Sequence, residues 1–396
     1  MNTTLNVEKM IFGFSFFILY IFSGIFHTYL KASSDWSGLA FGMIFFIMLF
    51  PFIDKYHNIS IIKKEYISIV FIFLLLVAIQ YFMSSMIFIR MDVYRMILTY
   101  LSFGFMLIVS AFFANMTSMI KDVIFNKVII YAYTLLICIG ILSIFLIKIG
   151  IVKHKEMILF SEPSHFAIIY LPILLYVSYF SKPIFRIFHI LIGFIIALLI
   201  KDLTLLFGIV LILTILYWYS FFIFAPLALT LLIISNLGNP IDNYFLERLR
   251  IVSHSNNLSV LVFISGWERA FISILSSYGF GLGFEQLGHV TPKMVLQITN
   301  LNGFGGGCNA AKITAELGIT GVVIVIIYLF YFLKIYFKLV NRKINKPKFV
   351  FFSSIFFMYS IDLFVRGTGY FNAATFMFMT SVYLIYFKYK QIDLIY

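Results

Sequence analysis

Residues 66–89 read YISIVFIFLLLVAIQYFMSSMIFI, twenty-four positions without one charged side chain. Wound as an α-helix at 1.5 Å per residue they cover about 36 Å, more than the ~30 Å hydrocarbon core of a bilayer. The same signature recurs in both directions from this stretch. Spans are predicted at 10–30, 38–54, 66–89, 95–114, 124–147, 165–181, 184–200, 203–219, 221–237, 312–333, 349–365 and 370–387. The uninterrupted block 203–237 is divided near Ser220 on length alone. The chain is 62% hydrophobic and 11% charged. Its 396 residues therefore point to one integral membrane domain, 1–396, and not to the two or more soluble domains usual for that length. The expected fold is an all-α polytopic membrane protein of about 12 transmembrane helices.

One polar segment interrupts the pattern, from about Gly238 to Ala311, and forms a large loop between the ninth and tenth spans. It carries Arg248, Arg250, Glu268 and Arg269, the glycines Gly279, Gly281 and Gly283, and the run Gly305-Gly306-Gly307. Within it Leu258–Ser276 reads as a helix apolar nearly all round, lying in or dipping into the interface with Trp267 at headgroup level.

Lysine and arginine placement sets orientation. With the N-terminus inside, sixteen of the 29 basic residues face inward, among them Lys63, Lys121, Lys182, Arg186, the group from Lys334 to Lys348, and Lys388. The outward set includes Arg90, Arg95, Arg250, Arg269, Lys312 and Arg366. Ionisable residues near membrane depth are by default candidates for function. The first span lacks a small-residue cleavage site and reads as a retained anchor. The net charge of +13 is dispersed among loops. That pattern excludes a nucleic-acid platform and suits anionic lipid headgroups and diphosphate-bearing lipids. Cys138 lies mid-span and Cys308 in the loop, so no disulfide joins them. No Cys/His set has zinc spacing, and no acidic cluster suggests a divalent metal.

Five polar motifs stand in the large loop or at the outer ends of spans. Ser161-Glu162-Pro163-Ser164-His165 opens the sixth. Ser161 as N-cap, Pro163 in the first turn and Glu162 at the positive end of the helix dipole account for three of these residues structurally. His165 is left over, and a carboxylate and an imidazole one turn apart at a wet boundary can act as a general base. In Gly266-Trp267-Glu268-Arg269-Ala270, Arg269 is either half of a solvated pair or aimed at a diphosphate, which arginine grips bidentately. Gly279-Phe280-Gly281-Leu282-Gly283 lacks the flanking βαβ unit of a dinucleotide fingerprint. Its glycines permit tight turns and N–H groups able to hold an anion. Lys312 and Glu316 share a helical face, as do Asp362 and Arg366. Each pair either neutralises itself or lines a polar cavity.

In order and spacing, these motifs resemble the O-antigen and capsular polysaccharide polymerases of the Wzy type. The likeness runs through Ser-Glu-Pro-Ser-His before a span, then Asn257-Leu258-Ser259, Gly-Trp-Glu-Arg-Ala and Gly-x-Gly-x-Gly in a late outer loop. It closes with Ala311-Lys312-x-x-x-Glu316-x-Gly318. Cys308-Asn309 departs from the polar pair expected after the glycines. The resemblance implies a glycosyltransferase of the bacterial inner membrane, acting without a metal or cofactor at the periplasmic face. Residues 238–311 would then be a periplasmic loop. The growing glycan would pass from undecaprenyl diphosphate to the non-reducing end of the next lipid-linked repeat unit. A chain-length regulator and a flippase would share the membrane.

That chemistry needs fixed cations for the departing diphosphate and a base for the attacking hydroxyl. Arg269 is the first candidate cation, followed by Arg250, Arg366 and Lys312. Glu162 is the first candidate base, then His165, then Glu268. Trp267 and Tyr278 either stack on a sugar face or anchor at the interface. Two alternatives stay open: an O-antigen ligase, with the same chemistry and another acceptor, and a lipid-linked oligosaccharide flippase or other transporter.

Overall fold

The structure, a computed structural model, describes residues 2–24, 35–57, 62–87, 92–151, 157–218, 257–290, 305–342 and 345–388. Among these the secondary structure is helical, apart from an isolated bridge between Met157 and Phe160. Twelve α-helices follow one another among the described residues. They are α1 Asn2–Phe16, α2 Asp35–His57, α3 Lys64–Ile87, α4 Val93–Met119, α5 Asp122–Lys148, α6 Pro163–Phe180, α7 Pro183–Leu199, α8 Leu203–Leu216, α9 Leu258–Ser276, α10 Asn309–Val340, α11 Pro347–Phe364 and α12 Ala373–Val382. Their starts follow local chemistry. Pro163, Pro183 and Pro347 occupy first-turn positions that need no N–H. Asp92, Asp202 and Asn372 cap α4, α8 and α12 through their side chains.

Seven of these helices, α3, α4, α5, α6, α9, α10 and α11, are long and apolar enough to cross a membrane. Shorter apolar helices fall at Lys9–Ile21, Trp36–Leu49, Pro183–Leu199, Leu203–Leu216 and Ala373–Lys388. The chain is thus an all-α polytopic membrane protein. The predicted span 221–237 lies outside the described residues.

Helices α6 and α11 are buried along almost their whole length and form the centre, while α3 is scarcely buried. A helix apolar on every side must be surrounded, and aromatic rings surround these two. Phe351 and Phe352 of α11 meet Phe125 of α5, and Phe351 also meets Tyr176 of α6. Phe71, Leu75 and Phe82 of α3 point outward.

Contacts between loops define two ends of the bundle. At one end, Lys348 at the start of α11 donates to the Ser118 and Ile120 carbonyls and lies 3.3 Å from Asp122. Lys388 reaches Asn115 at 3.4 Å, and the Lys63 N–H donates to the Tyr383 hydroxyl at 3.3 Å. Arg186 sits at the turn between α6 and α7, donating to the Ser178 and Ser181 carbonyls. At the opposite end, Arg366 pairs with Glu162, the Gly367 N–H donates to the Gly307 carbonyl, and the Asp92 N–H donates to Gln286. Helices α3 to α6 therefore alternate in direction, as do α11 and α12. Lys63, Arg186, Lys348 and Lys388, all of the predicted inward set, are together at the first end. Arg95, Lys312 and Arg366, of the outward set, are at the second.

Helix α9 runs beside the first half of α10 and does not traverse the bundle. Gly266 of α9 lies against Gly306, where an added Cβ would fall 1.9 Å from the Gly306 carbonyl oxygen. Lower down, Gly279 meets Ile319, and there the chain turns back. The return segment is docked by three backbone hydrogen bonds: Leu282 N–H to the Ala315 carbonyl (3.1 Å), Gly283 N–H to Glu316 (2.9 Å) and Ile319 N–H to Gly279 (2.8 Å). Opposite it α10 is broken at Gly318, whose φ of 58° and ψ of −134° suit glycine. Nine residues of helix separate Asn309 from the break, so the hairpin reaches about 14 Å into the bundle. The segment 257–290 thus dips in and returns to the end it came from. Irregular backbone at such depth must be satisfied by protein. Gln80 of α3 donates to the Phe280 and Glu316 carbonyls, and Ser84 donates to Gly281 at 2.7 Å.

Candidate functional site

Four polar stretches converge at the second end: 160–165, 285–290, 305–312 and 366–372. Glu162 is the residue before α6, and its Oε2 accepts from Arg366 Nη2 at 2.7 Å and from Ser164 Oγ at 3.2 Å. Its carboxyl balances two influences: burial pushes it up, while the Arg366 and His165 charges and the two hydrogen bonds outweigh burial and hold it below the ordinary carboxylate range. His165 Nδ1 lies 2.9 Å from Ser161 Oγ. Ser161 therefore meets the imidazole, and Glu162 occupies the N-cap position without a side-chain capping bond. This corrects the expectation that Ser161 caps the helix. A small cleft open to the outside lies beside the Ser161–His165 pair, lined by Ser161, His165, Thr368 and Asn372 on its polar side and Phe160 and Ile169 on its apolar side.

Arg366 does not pair with Asp362, despite their helical spacing. Helix α11 ends at Phe364, and the Arg366 N–H folds back to the Ile361 carbonyl. Asp362 is fully buried and accepts from Thr368 N–H (2.9 Å), Thr368 Oγ1 (2.7 Å) and Asn309 Nδ2 (2.6 Å). Asn309 also exchanges hydrogen bonds with the Gly369 main chain. It thereby ties the start of α10 to the loop bearing Arg366.

On the other flank of Asn309, Lys312 is buried and pairs with Glu285, which Arg95 contacts at 3.1 Å. The Lys312 ammonium lies 4.7 Å from the Tyr370 ring centre. Lys312 and Glu316 share a face, yet each finds another partner. Glu316, wholly buried, accepts from the Tyr370 hydroxyl at 2.8 Å through Oε2, and its Oε1 has no hydrogen-bond partner among the described residues.

Arg269 is buried behind the glycine turn and donates to the Gly305 carbonyl at 2.5 Å and to Ser265 at 3.3 Å. The carboxylates acting on it are Glu268 and Glu316. Trp267 is partly exposed and hydrogen-bonds Cys308, whose thiol burial pushes up to about 11. Tyr278 stands apart, 83% exposed at the tip of the hairpin. The N–H groups of Gly281, Leu282 and Gly283 all donate within the protein. The glycine run is a docking device for the broken helix, not the anion nest considered from sequence. Arg250 lies outside the described residues.

The fold thus pairs Glu162 with Arg366 beside a cleft lined by Ser161 and His165, and sets Arg269 and Lys312 on either side of the turn 305–309. Sequence reading passed over Glu285, Asn309 and Tyr370. Glu285 was visible as an acid inside the glycine run, but its partner is 27 positions away. Comparison with protein-family models, curated proteins and solved structures gives no match. The meaning of the site rests on its own geometry.

Proposed function

We propose that the protein is a polysaccharide repeat-unit polymerase of the bacterial inner membrane. It would transfer the growing glycan from undecaprenyl diphosphate to the non-reducing end of the next lipid-linked unit. The observation that carries this reading is the 2.7 Å pairing of Glu162 with Arg366, from stretches some two hundred positions apart, beside a cleft that His165 lines. In the transfer, the acceptor hydroxyl oxygen bonds to the anomeric carbon and its proton passes to Glu162. The bond from that carbon to the diphosphate breaks, and its electron pair leaves with the diphosphate facing Arg366. Electrostatic stabilisation of such a leaving group is usually the largest single contribution, about 10²- to 10³-fold per donor. The basic residues gathered at the far end of the bundle support placing that end in the cytoplasm and the cleft in the periplasm. A chain-length regulator and a flippase are the expected partners.

One observation favours a second reading. Broken helices beside re-entrant segments are common in transporters, and α10 is broken at Gly318. A flippase for lipid-linked oligosaccharide would use the hairpin as a moving part. Purified protein in proteoliposomes with a lipid-linked repeat unit separates the two. Polymerisation gives products of two and more units on one lipid. Flipping gives unchanged single units that become accessible to a membrane-impermeant glycosidase. A ligase would give neither without its separate acceptor.

A further inference from the structure

We propose that Arg366 changes partners when substrate binds: Glu162 holds it in the unliganded protein, and an incoming diphosphate displaces that carboxylate and frees it to take a proton. The binding half of this stands on the geometry alone, and the proton-accepting half rests on the polymerase reading. Both side chains are reachable from outside, with 28% of Arg366 and 47% of Glu162 exposed. One contact joins them, Nη2 to Oε2, with Ser164 on the same oxygen. The Arg366 main chain is pinned by its bond to Ile361 and by Gly367 to Gly307, so the guanidinium can turn while its backbone stays fixed. A diphosphate offers several charged oxygens in the fork geometry that guanidinium matches, against one carboxylate oxygen here.

The exchange has a chemical consequence. A carboxylate held low is a weak base, because efficient proton transfer needs a pKa nearer the working pH. The charged groups acting on Glu162 are Arg366 from the loop after α11 and His165 from its own helix, and His165 also acts on the buried Asp362 of α11. Withdrawal of Arg366 removes the main influence opposing burial at Glu162 and moves it back toward base strength. The site would then deprotonate an acceptor only with a donor diphosphate in place.

The test is a titration of full-length protein in phosphatidylcholine nanodiscs, in metal-free buffer, with inorganic diphosphate and with farnesyl diphosphate. Glu162→Gln is expected to bind both probes about two- to fivefold more tightly than wild type, since it loses its internal competitor. Glu162→Asp, whose shorter side chain loosens the pair, carries the same expectation should the glutamine variant fail to fold. Arg366→Ala is expected to lose binding of both. Stronger binding of the farnesyl probe assigns the site to a lipid-linked diphosphate, and equal binding assigns it to the free anion. Unchanged or weaker binding by a Glu162 variant of normal melting temperature overturns the exchange. Tighter binding by the Glu162 variants, with no glycan transfer by wild type supplied with a lipid-linked repeat unit, keeps the exchange and rejects the polymerase reading. Transfer without tightening does the reverse.

Discussion

Replacing Gly318 with alanine is expected to destabilise the protein by about 3–6 kcal/mol, a sum of two costs. The first is conformational: φ of 58° with ψ of −134° is a region that residues with a Cβ rarely occupy, and holding alanine there costs roughly 1–3 kcal/mol. The second is space. The new methyl would stand 2.1 Å from the Gly279 carbonyl oxygen and 2.6 Å from the Gly281 nitrogen. Both neighbours are main chain, so the return segment must move away. That motion strains the hydrogen bonds joining Leu282, Gly283 and Ile319 to their partners. Losing two of them in a buried place costs about 2–3 kcal/mol more. The assay is thermal unfolding of purified protein in detergent, with Gly104→Ala as control. At Gly104 the nearest atom to an added Cβ is a Leu74 methyl at 3.6 Å, and mid-helix alanine is favoured over glycine by up to about 1 kcal/mol. The control should melt at or slightly above the wild-type temperature, and Gly318→Ala several degrees below. Equal melting temperatures for the two variants would refute the docking of the hairpin into the broken helix.

Asn309→Ala removes donors from the buried Asp362 carboxylate and from the Gly369 carbonyl, so a loss of about 2–4 kcal/mol is expected in the same melting assay. Tyr370→Phe leaves buried Glu316 without its hydroxyl donor. Its cost should shrink when combined with Glu316→Gln, and a double-mutant cycle would read that coupling. The Glu162–Arg366 pair gives a pH prediction. A carboxyl held below its ordinary value of 4.5 contributes stability that is present above 4.5 and is lost as pH falls through the lower folded value. The gap in melting temperature between wild type and Glu162→Gln should persist from pH 7 to pH 5 and close only in stronger acid. The exposure of the pair limits its contribution to about 1 kcal/mol.

The helical membrane character was legible because a long apolar run has few other uses. Several helix starts were legible too, since proline, aspartate and asparagine mark them. Leu258–Ser276 shows the boundary of that reasoning. Sequence reads it as a helix lying in or dipping into the interface, and the contacts of Gly266, Gly279 and Gly283 with the Gly306 turn and α10 show how deep it enters and where the chain turns back. The pairings of the site were largely hidden. Helical spacing joined Lys312 to Glu316 and Asp362 to Arg366, and the fold gives each of the four a different hydrogen-bond partner. Glu285, Glu162, Asn309 and Tyr370 come from distant stretches, and their proximity depends on how four loops meet. The glycine run was legible as backbone freedom, but its use could not be seen without the broken helix it packs against.

The central claim is that this cleft lengthens a lipid-linked glycan. Its most direct test is the length of surface polysaccharide on a gel, in cells lacking the protein and in cells complemented with wild type, Glu162→Gln or Arg366→Ala, with membrane expression verified. The account predicts core plus a single repeat in the deletion strain and a full ladder with wild type. It predicts a ladder reduced about a hundredfold or more in material beyond one repeat with Arg366→Ala. Loss of every surface repeat in the deletion strain, single repeats included, would contradict it.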